Sequence, residues 1–349
     1  MKPVTVPFFI SHQGCRHTCL FCDQKTISGS SGMLPDAGEI IDKIRQWQVT
    51  AGSRPLEVAF FGGSFTALPE DVQTRLLDPL QPLLKCGELV SVRISTRPDY
   101  ISGPVVARLA AAGVSVIELG VQSLDDGVLQ ASGRGHSAAD AVNAIRCVAE
   151  QGVNVVAQLM PGLPGDTPAV SLASLEGVIS AGADYLRIYP TVVLRGTELA
   201  RRYVAGEFRP PGNEQVINLC KILLHRAMQL NVPVLRIGLQ ADDGLNTDAL
   251  LAGCWHPALG QLVRSRLYAD LVNLLVSDGE SITVWCHPSR VSDLVGQKRV
   301  NVDLLAARGV RLRVFPDVSR AVEELVLQND SVCRMYNLLN DLHYSIDEV

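Results

Sequence analysis

The sequence predicts an α/β fold. A partial, TIM-like (β/α)6 barrel spans residues 1–278, and a small α/β appendage ending in a terminal helix spans residues 279–349. Three observations lead there. Short apolar runs alternate with longer amphipathic stretches through the first two-thirds of the chain, the rhythm of βα units feeding a parallel sheet. Gly113, Gly152 and Gly182 follow the amphipathic stretches, where a helix C-terminus takes a left-handed residue most cheaply as glycine. The chain of 349 residues is 47% hydrophobic and 19% charged, enough to build a large core and too apolar for global disorder.

In order, strands are expected at 4–10, 57–61, 90–95, 115–121, 154–160 and 185–191. A seventh apolar run at 232–238 either extends the sheet or opens the tail. Helical patterns at 104–112, 138–151 and 169–181 lie between them. A doubly wound sheet is the competing arrangement of the same elements. In a parallel barrel the residues just after each strand share the mouth. Those positions hold Ser11-His12-Gln13-Gly14-Cys15, Gly62-Gly63-Ser64, Thr96-Arg97-Pro98-Asp99, Gln122-Ser123, Pro161-Gly162-Leu163-Pro164-Gly165 and Tyr189-Pro190-Thr191, with Arg195-Gly196-Thr197 soon after.

Composition narrows the function. A net charge of −5 excludes a uniformly basic nucleic-acid coat, though not a local patch. No apolar run reaches the length of a transmembrane helix, and the N-terminal run is too short for a signal peptide, so a cytoplasmic location and no membrane partner are expected. Nine cysteines are too few and too scattered for a disulfide scaffold.

Three of the nine crowd together in Cys15-Arg16-His17-Thr18-Cys19-Leu20-Phe21-Cys22. Three thiolates on one loop can hold three irons of a cubane 4Fe–4S cluster and leave the fourth iron open, the position that S-adenosylmethionine (SAM) can chelate. Zinc is the alternative, completed by His12 or His17, although the spacing lacks the usual second pair of cysteines.

The triplet, Phe21, Gly62-Gly63-Ser64 and Thr96-Arg97-Pro98-Asp99 resemble a radical SAM enzyme. The likeness is nearer to the radical SAM domain of the Elongator catalytic subunit and its shorter bacterial relatives. It runs on through Leu119-Gly120-Val121-Gln122-Ser123, Arg134-Gly135-His136, Leu159-Met160-Pro161-Gly162-Leu163-Pro164, Ile188-Tyr189-Pro190-Thr191 and Leu194-Arg195-Gly196-Thr197. The resemblance implies cluster ligation by Cys15, Cys19 and Cys22, and Phe21 against the adenine of SAM. It implies Gly62, Gly63 and Ser64 near the methionyl amino group, Gln122 and Gln158 at the ribose or carboxylate, and Arg134 on the carboxylate. Relatives often carry a Glu at the end of the third strand, where this chain has Ser95. The acetyltransferase domain of the Elongator subunit has no counterpart in these residues, so chemistry that needs acetyl-CoA is not implied.

The tail is basic over residues 281–315, with Arg290, Lys298, Arg299, Arg308, Arg311 and Arg313 against Asp293 and Asp303. A strand at 282–286, a helix at 291–295, the turn Gly296-Gln297-Lys298-Arg299, a helix at 302–307 and a strand at 310–315 are similar to the KH core. In that core a GxxG turn clamps a nucleic-acid backbone; Arg299 replaces the second glycine here. A plain α/β cap with a solvated basic loop is the alternative. Residues 318–343 are expected to be helical, with Val322, Leu325, Val326, Met335, Leu338, Leu339 and Leu342 packed on the core. Tyr189, Arg195, His256, Arg264, Lys298 and Arg299 are candidate substrate contacts, and a second metal site from Cys254, His256, Cys286 and His287 is conceivable. The sequence therefore points to a radical SAM enzyme served by a flavodoxin- or ferredoxin-like electron donor, with tRNA as the favoured substrate and small metabolites next. A metal-stabilised RNA-binding protein without radical catalysis is the rival.

Overall fold

The computed structural model describes residues 3–15, 19–29, 33–240, 248–329 and 332–348. Strands β1 (Val4–Phe9), β2 (Leu56–Phe61), β3 (Leu89–Thr96), β4 (Val114–Gln122), β5 (Asn154–Leu159) and β6 (Tyr185–Ile188) lie side by side in chain order. After β6 the chain forms β7 (Val192–Leu194) outside this sheet, and β8 (Val234–Ile237) then joins beside β6. Every neighbouring pair in this sheet is parallel, and β1 and β8 remain its two edges. Strict sequential order has no reversal point, which separates this partial barrel from a doubly wound sheet. The sheet has seven strands where six βα units were expected, because the run near 234 extends it. β7 pairs antiparallel with β9 (Leu250–Gly253) in a separate ribbon.

Alternation within the strands builds two layers. Val58, Phe60, Val92, Ile94, Ile117 and Leu119 are fully buried in the main core. The opposite face carries the charges Glu57, Arg93, Glu118 and Arg187. Arg93 Nη2 donates to Glu57 Oε2 (3.1 Å), while Arg93 Nη1 and Arg187 Nη2 both reach Glu118 Oε1, at 2.8 and 3.0 Å. Thr5 and Ser91 also donate to Glu57, Arg187 Nη1 donates to Tyr189 Oη, and the Arg187 guanidinium lies 5.5 Å from the centre of the Phe61 ring. The inner face of the barrel is thus lined by a network of two carboxylates and two guanidiniums.

The tail contains β10 (Ser281–Cys286), helices Val291–Val295 and Val300–Ala307, and β11 (Arg311–Pro316) parallel to β10. The helix expected at 318–343 is instead a hairpin of β12 (Glu324–Gln328) and β13 (Cys333–Asn337), followed by a single helical turn, Leu338–Asp341. The reason is tertiary. β10 has a second edge, which β12 pairs antiparallel, and Leu325 and Leu327 are buried while Val326 between them is not, a period of two that a helical count hides. The finished sheet has the order β11-β10-β12-β13. Its buried face shares one continuous core with the barrel through Val263 and Leu267 of helix Leu259–Leu275.

Candidate active site

Because the barrel strands are adjacent and parallel, their C-terminal ends form one rim, and the cysteine loop leaves that rim at the end of β1. His12 there takes φ +61°, and Gln13 N–H closes a turn on Ile10 C=O. The turn after β2 packs directly against it. A Cβ on Gly63 would stand 2.4 Å from Gln13 O, and one on Gly14 would stand 2.4 Å from Ser64 O. Only glycine permits that approach. Gln24, which the sequence reading did not single out, bolts the two turns together. Its Oε1 accepts from His12 N (2.7 Å) and Gly63 N (2.6 Å), and its own N–H donates to His12 Nε2 (3.0 Å). His12 Nε2 is therefore occupied as an acceptor within the loop. His17, the other histidine considered for zinc, lies outside the described residues.

Cys15 Sγ sits 3.6 Å from Ser64 Oγ. Burial first, then the neighbouring Cys19 and Cys15, pushes the Cys22 thiol up to about 12, and burial raises Cys15 as well. The thiols thus feel one another. Yet among the described residues no three His, Cys, Asp or Glu side chains converge as ligands of one ion.

Two buried guanidiniums stand beside them. Arg134, 5% exposed, donates from Nη1 to Cys19 Sγ at 3.1 Å, from Nη2 to Gly120 C=O, and from Nε to His136 Nε2 at 3.3 Å. Arg97, 4% exposed, grips Asp99 in a bidentate pair, while its buried Nη1 has no hydrogen-bond partner among the described residues. Its charge acts on Cys15 and Cys19. An unpaired buried donor and a guanidinium already on a sulfur fit an anionic iron–sulfur group held by three thiolates. Arg97 was quoted in the sequence as part of a turn, and only its burial reveals the charge it brings.

The floor beside Arg134 is polar. Gln158 Nε2 donates to Gln122 Oε1 (3.0 Å), and Gln122 adopts φ +71° at a β-bulge between Gly120 and Gln122. A Cβ at Gly120 would meet Gln122 Nε2 at 2.8 Å and Arg134 Nη2 at 3.3 Å, so this glycine makes room for both. Strain in a non-glycine residue at the rim is typical of functional sites. Gln122, Gln158 and Arg134, which the sequence reading grouped, do meet. Ser95 Oγ reaches Glu118 Oε2 at 3.5 Å, but that carboxylate already balances Arg93 and Arg187.

A family model for the radical SAM superfamily matches residues 9–170, and one for the Radical_SAM C-terminal domain matches residues 183–269. The chain belongs to the radical SAM superfamily. Radical SAM enzymes use a 4Fe–4S cluster and SAM, and this chain is one of them. It is 31% identical to a tRNA uridine(34) acetyltransferase of Methanocaldococcus infernus over 184 residues, which cover 47% of this chain and 34% of that protein. It is 26% identical to the heme chaperone HemW of Bacillus subtilis, covering 61% of this chain and 57% of that protein. The structure of the archaeal M. infernus Elp3 with an N-terminal deletion superposes with a TM-score of 0.58 at 25% identity, covering 68% of this chain and 61% of the other. The chain thus spans about a third of the acetyltransferase it matches. Among the described residues no helix is long and apolar enough to cross a membrane.

The remaining candidates separate. Phe21 packs with Val193, Leu199 and Tyr203 beside the β7–β9 ribbon. Tyr189 is held by Arg187 on the barrel's inner face. Arg195 is exposed and donates to Asp248 C=O, and His256 Nδ1 accepts from Ala258 N before helix Leu259–Leu275. Arg264 and Arg290 both pair with Asp293, a buried carboxylate of the tail that needs a counter-charge. Lys298 and Arg299 have consecutive left-handed φ values of +53° and +66°, so the tail turn is strained where the sequence shows a basic loop. Cys254 and Cys286 are buried, and no metal site unites them with His256 and His287 among the described residues.

Two expected outcomes follow from Arg134. Arg134→Gln removes its contacts to the Cys19 sulfur, Gly120 and His136, and should lower 5′-deoxyadenosine formation about 10–100-fold while iron content stays near wild type. His136 accepts from Arg134 on Nε2 and sits on Ser137 C=O through Nδ1, an arrangement that requires the neutral ring. Burial, then Arg134 and Arg97, lowers its pKa to about 4, with the Ser137 carbonyl and Asp99 opposing. A depressed histidine contributes its stability fully above the unfolded value near 6.5 and loses it as pH falls towards 4. Urea midpoints should therefore drop between those pH values by an amount worth on the order of 3 kcal/mol, and His136→Gln should flatten that drop.

Proposed function

We propose that Cys15, Cys19 and Cys22 hold the cluster, that SAM is cleaved reductively at it, and that the substrate is an RNA of the tRNA class. The observation that carries this reading is the cysteine loop seated on Arg134 and Arg97 at the C-terminal rim of a partial barrel. When bound, the cluster and SAM supply a 5′-deoxyadenosyl radical that abstracts hydrogen from an unactivated C–H position, with a flavodoxin- or ferredoxin-like protein giving the electron.

The chain's residues supply the surroundings. Gly63 N–H is spent on Gln24, which leaves the carbonyl oxygens of the Gly62-Gly63 turn, acceptors suited to the methionyl ammonium. They take the place of the Glu absent at Ser95, since Glu118 is already neutralised. Phe21 offers a ring edge for the adenine, and Gln122 and Gln158 offer amide groups to the ribose or carboxylate. Arg134 acts first on the Cys19 sulfur and has further N–H donors for the methionyl carboxylate. Tyr189 and Arg195 are the residues offered for substrate contact.

Support for tRNA comes from the tRNA uridine(34) acetyltransferase relatives and the fold shared with M. infernus Elp3. The HemW match, which covers more of its partner, favours a second reading with a tetrapyrrole or other small metabolite as substrate. Mass spectrometry of tRNA nucleosides from cells with and without the protein distinguishes them. A nucleoside present only with the protein supports the RNA reading, and identical profiles overturn it.

A further inference from the structure

Among the described residues one face of the tail sheet is left uncovered. Its other face carries Ile282, Val284, Cys286, Leu325 and Leu327 into the core. On the open face the register lines up Phe315 with Trp285, Trp285 with Val326 and Val326 with Met335, an apolar row that crosses all four strands. Phe315 is 47% exposed and Met335 55%. The Trp285 and Phe315 rings are stacked side by side, with centroids 6.2 Å apart and planes 27° from parallel. Arg311 and Arg313 alternate with Phe315 along the edge strand β11, so they stand on the same face, and both are exposed. Arg311 leans on Ser281 Oγ, while no ion pair is formed by Arg313 among the described residues. At the far end Arg320 touches Met335 Sδ and pairs with Asp317, and Glu324 bonds back to Ala321 N.

We propose that this face is a base-stacking platform for a single-stranded stretch of RNA, with unpaired bases on Trp285 and Phe315 and phosphates on Arg311 and Arg313. A flat aromatic pair accepts the π-face of any base, and arginines two residues apart on the flanking edge complement a phosphate backbone. The row contributes nothing to the core beneath it, so its exposed aromatic and thioether groups have no packing purpose. Lys298 and Arg299 lie in the helical layer, which packs on the other face of the sheet. This differs from a KH-type grip through the Gly296 turn. The platform deepens the RNA reading above but needs neither cluster nor SAM, so binding and radical chemistry fail independently.

The test is fluorescence anisotropy of the full-length protein with a fluorescein-labelled 12-nucleotide mixed-sequence RNA, single-stranded or annealed, over a range of KCl concentrations. The single strand should bind more tightly than the duplex, and Phe315→Ala should weaken it about tenfold or more. Arg313→Ala should weaken binding and reduce the salt slope by about 0.7. RNA should also quench tryptophan emission in the wild type and not in Trp285→Phe. Equal affinity for duplex, unchanged binding by Phe315→Ala, loss only on Lys298→Ala, or preference for polyglutamate over RNA would each overturn the platform.

Discussion

Cys19→Ala should abolish the chemistry. Reconstituted without oxygen, this variant is expected to lose the brown colour and most of its iron, and to form 5′-deoxyadenosine from SAM at least about a hundredfold more slowly than wild type. Cys19 is the buried member of the triplet, and its sulfur accepts from Arg134, so its removal deletes an iron ligand and strands a buried guanidinium together. Cys86→Ala, an exposed thiol far from the rim in sequence, serves as the control and should keep both iron and activity. Radical chemistry retained by Cys19→Ala would place the cluster elsewhere.

The second large effect is on stability. Glu118→Ala leaves Arg187 without its carboxylate and Arg93 with half its compensation, inside a barrel with little water to solvate either. Loss of one partner from a buried ion pair typically costs about 3–5 kcal/mol, and the first transition in urea should shift accordingly. Arg187→Met in the same chain should recover part of that loss, because the uncompensated charge goes with it. The two changes should therefore be strongly non-additive. Additive effects would mean that water or another group already screens Arg187. Arg187 is held as well by Tyr189 and the Phe61 ring, so the same substitution should loosen the Tyr189 hydroxyl at the mouth.

Much of this was written in local sequence. The strands at 57–61, 90–95 and 115–121 read clearly because parallel strands are continuous apolar runs bounded by Gly or Pro, and the cysteine spacing is itself the signal. Glu57, Arg93, Glu118 and Arg187 escaped notice because each is one charge inside an apolar strand, and their partners are 25 to 69 positions away. The clue was present nonetheless: a charge in the middle of a buried strand must find a counter-charge. Gln24 and Arg97 were hidden in the same way, since a side chain that stitches two turns looks locally like any polar loop residue. The β12–β13 hairpin was misread because Leu325, Val326, Met335 and Leu338 satisfy a helical count. Only the open edge of β10 decides that the segment is paid out as strands.

The central claim is a cubane held by three thiolates whose fourth iron meets SAM. The most direct measurement is the EPR spectrum of the anaerobically reconstituted, dithionite-reduced protein, recorded with and without SAM. A reduced-cubane signal whose g values move on adding SAM, and which is missing from Cys19→Ala, is the predicted result. A cubane signal indifferent to SAM, or a protein that binds zinc and shows no cluster signal, would contradict it.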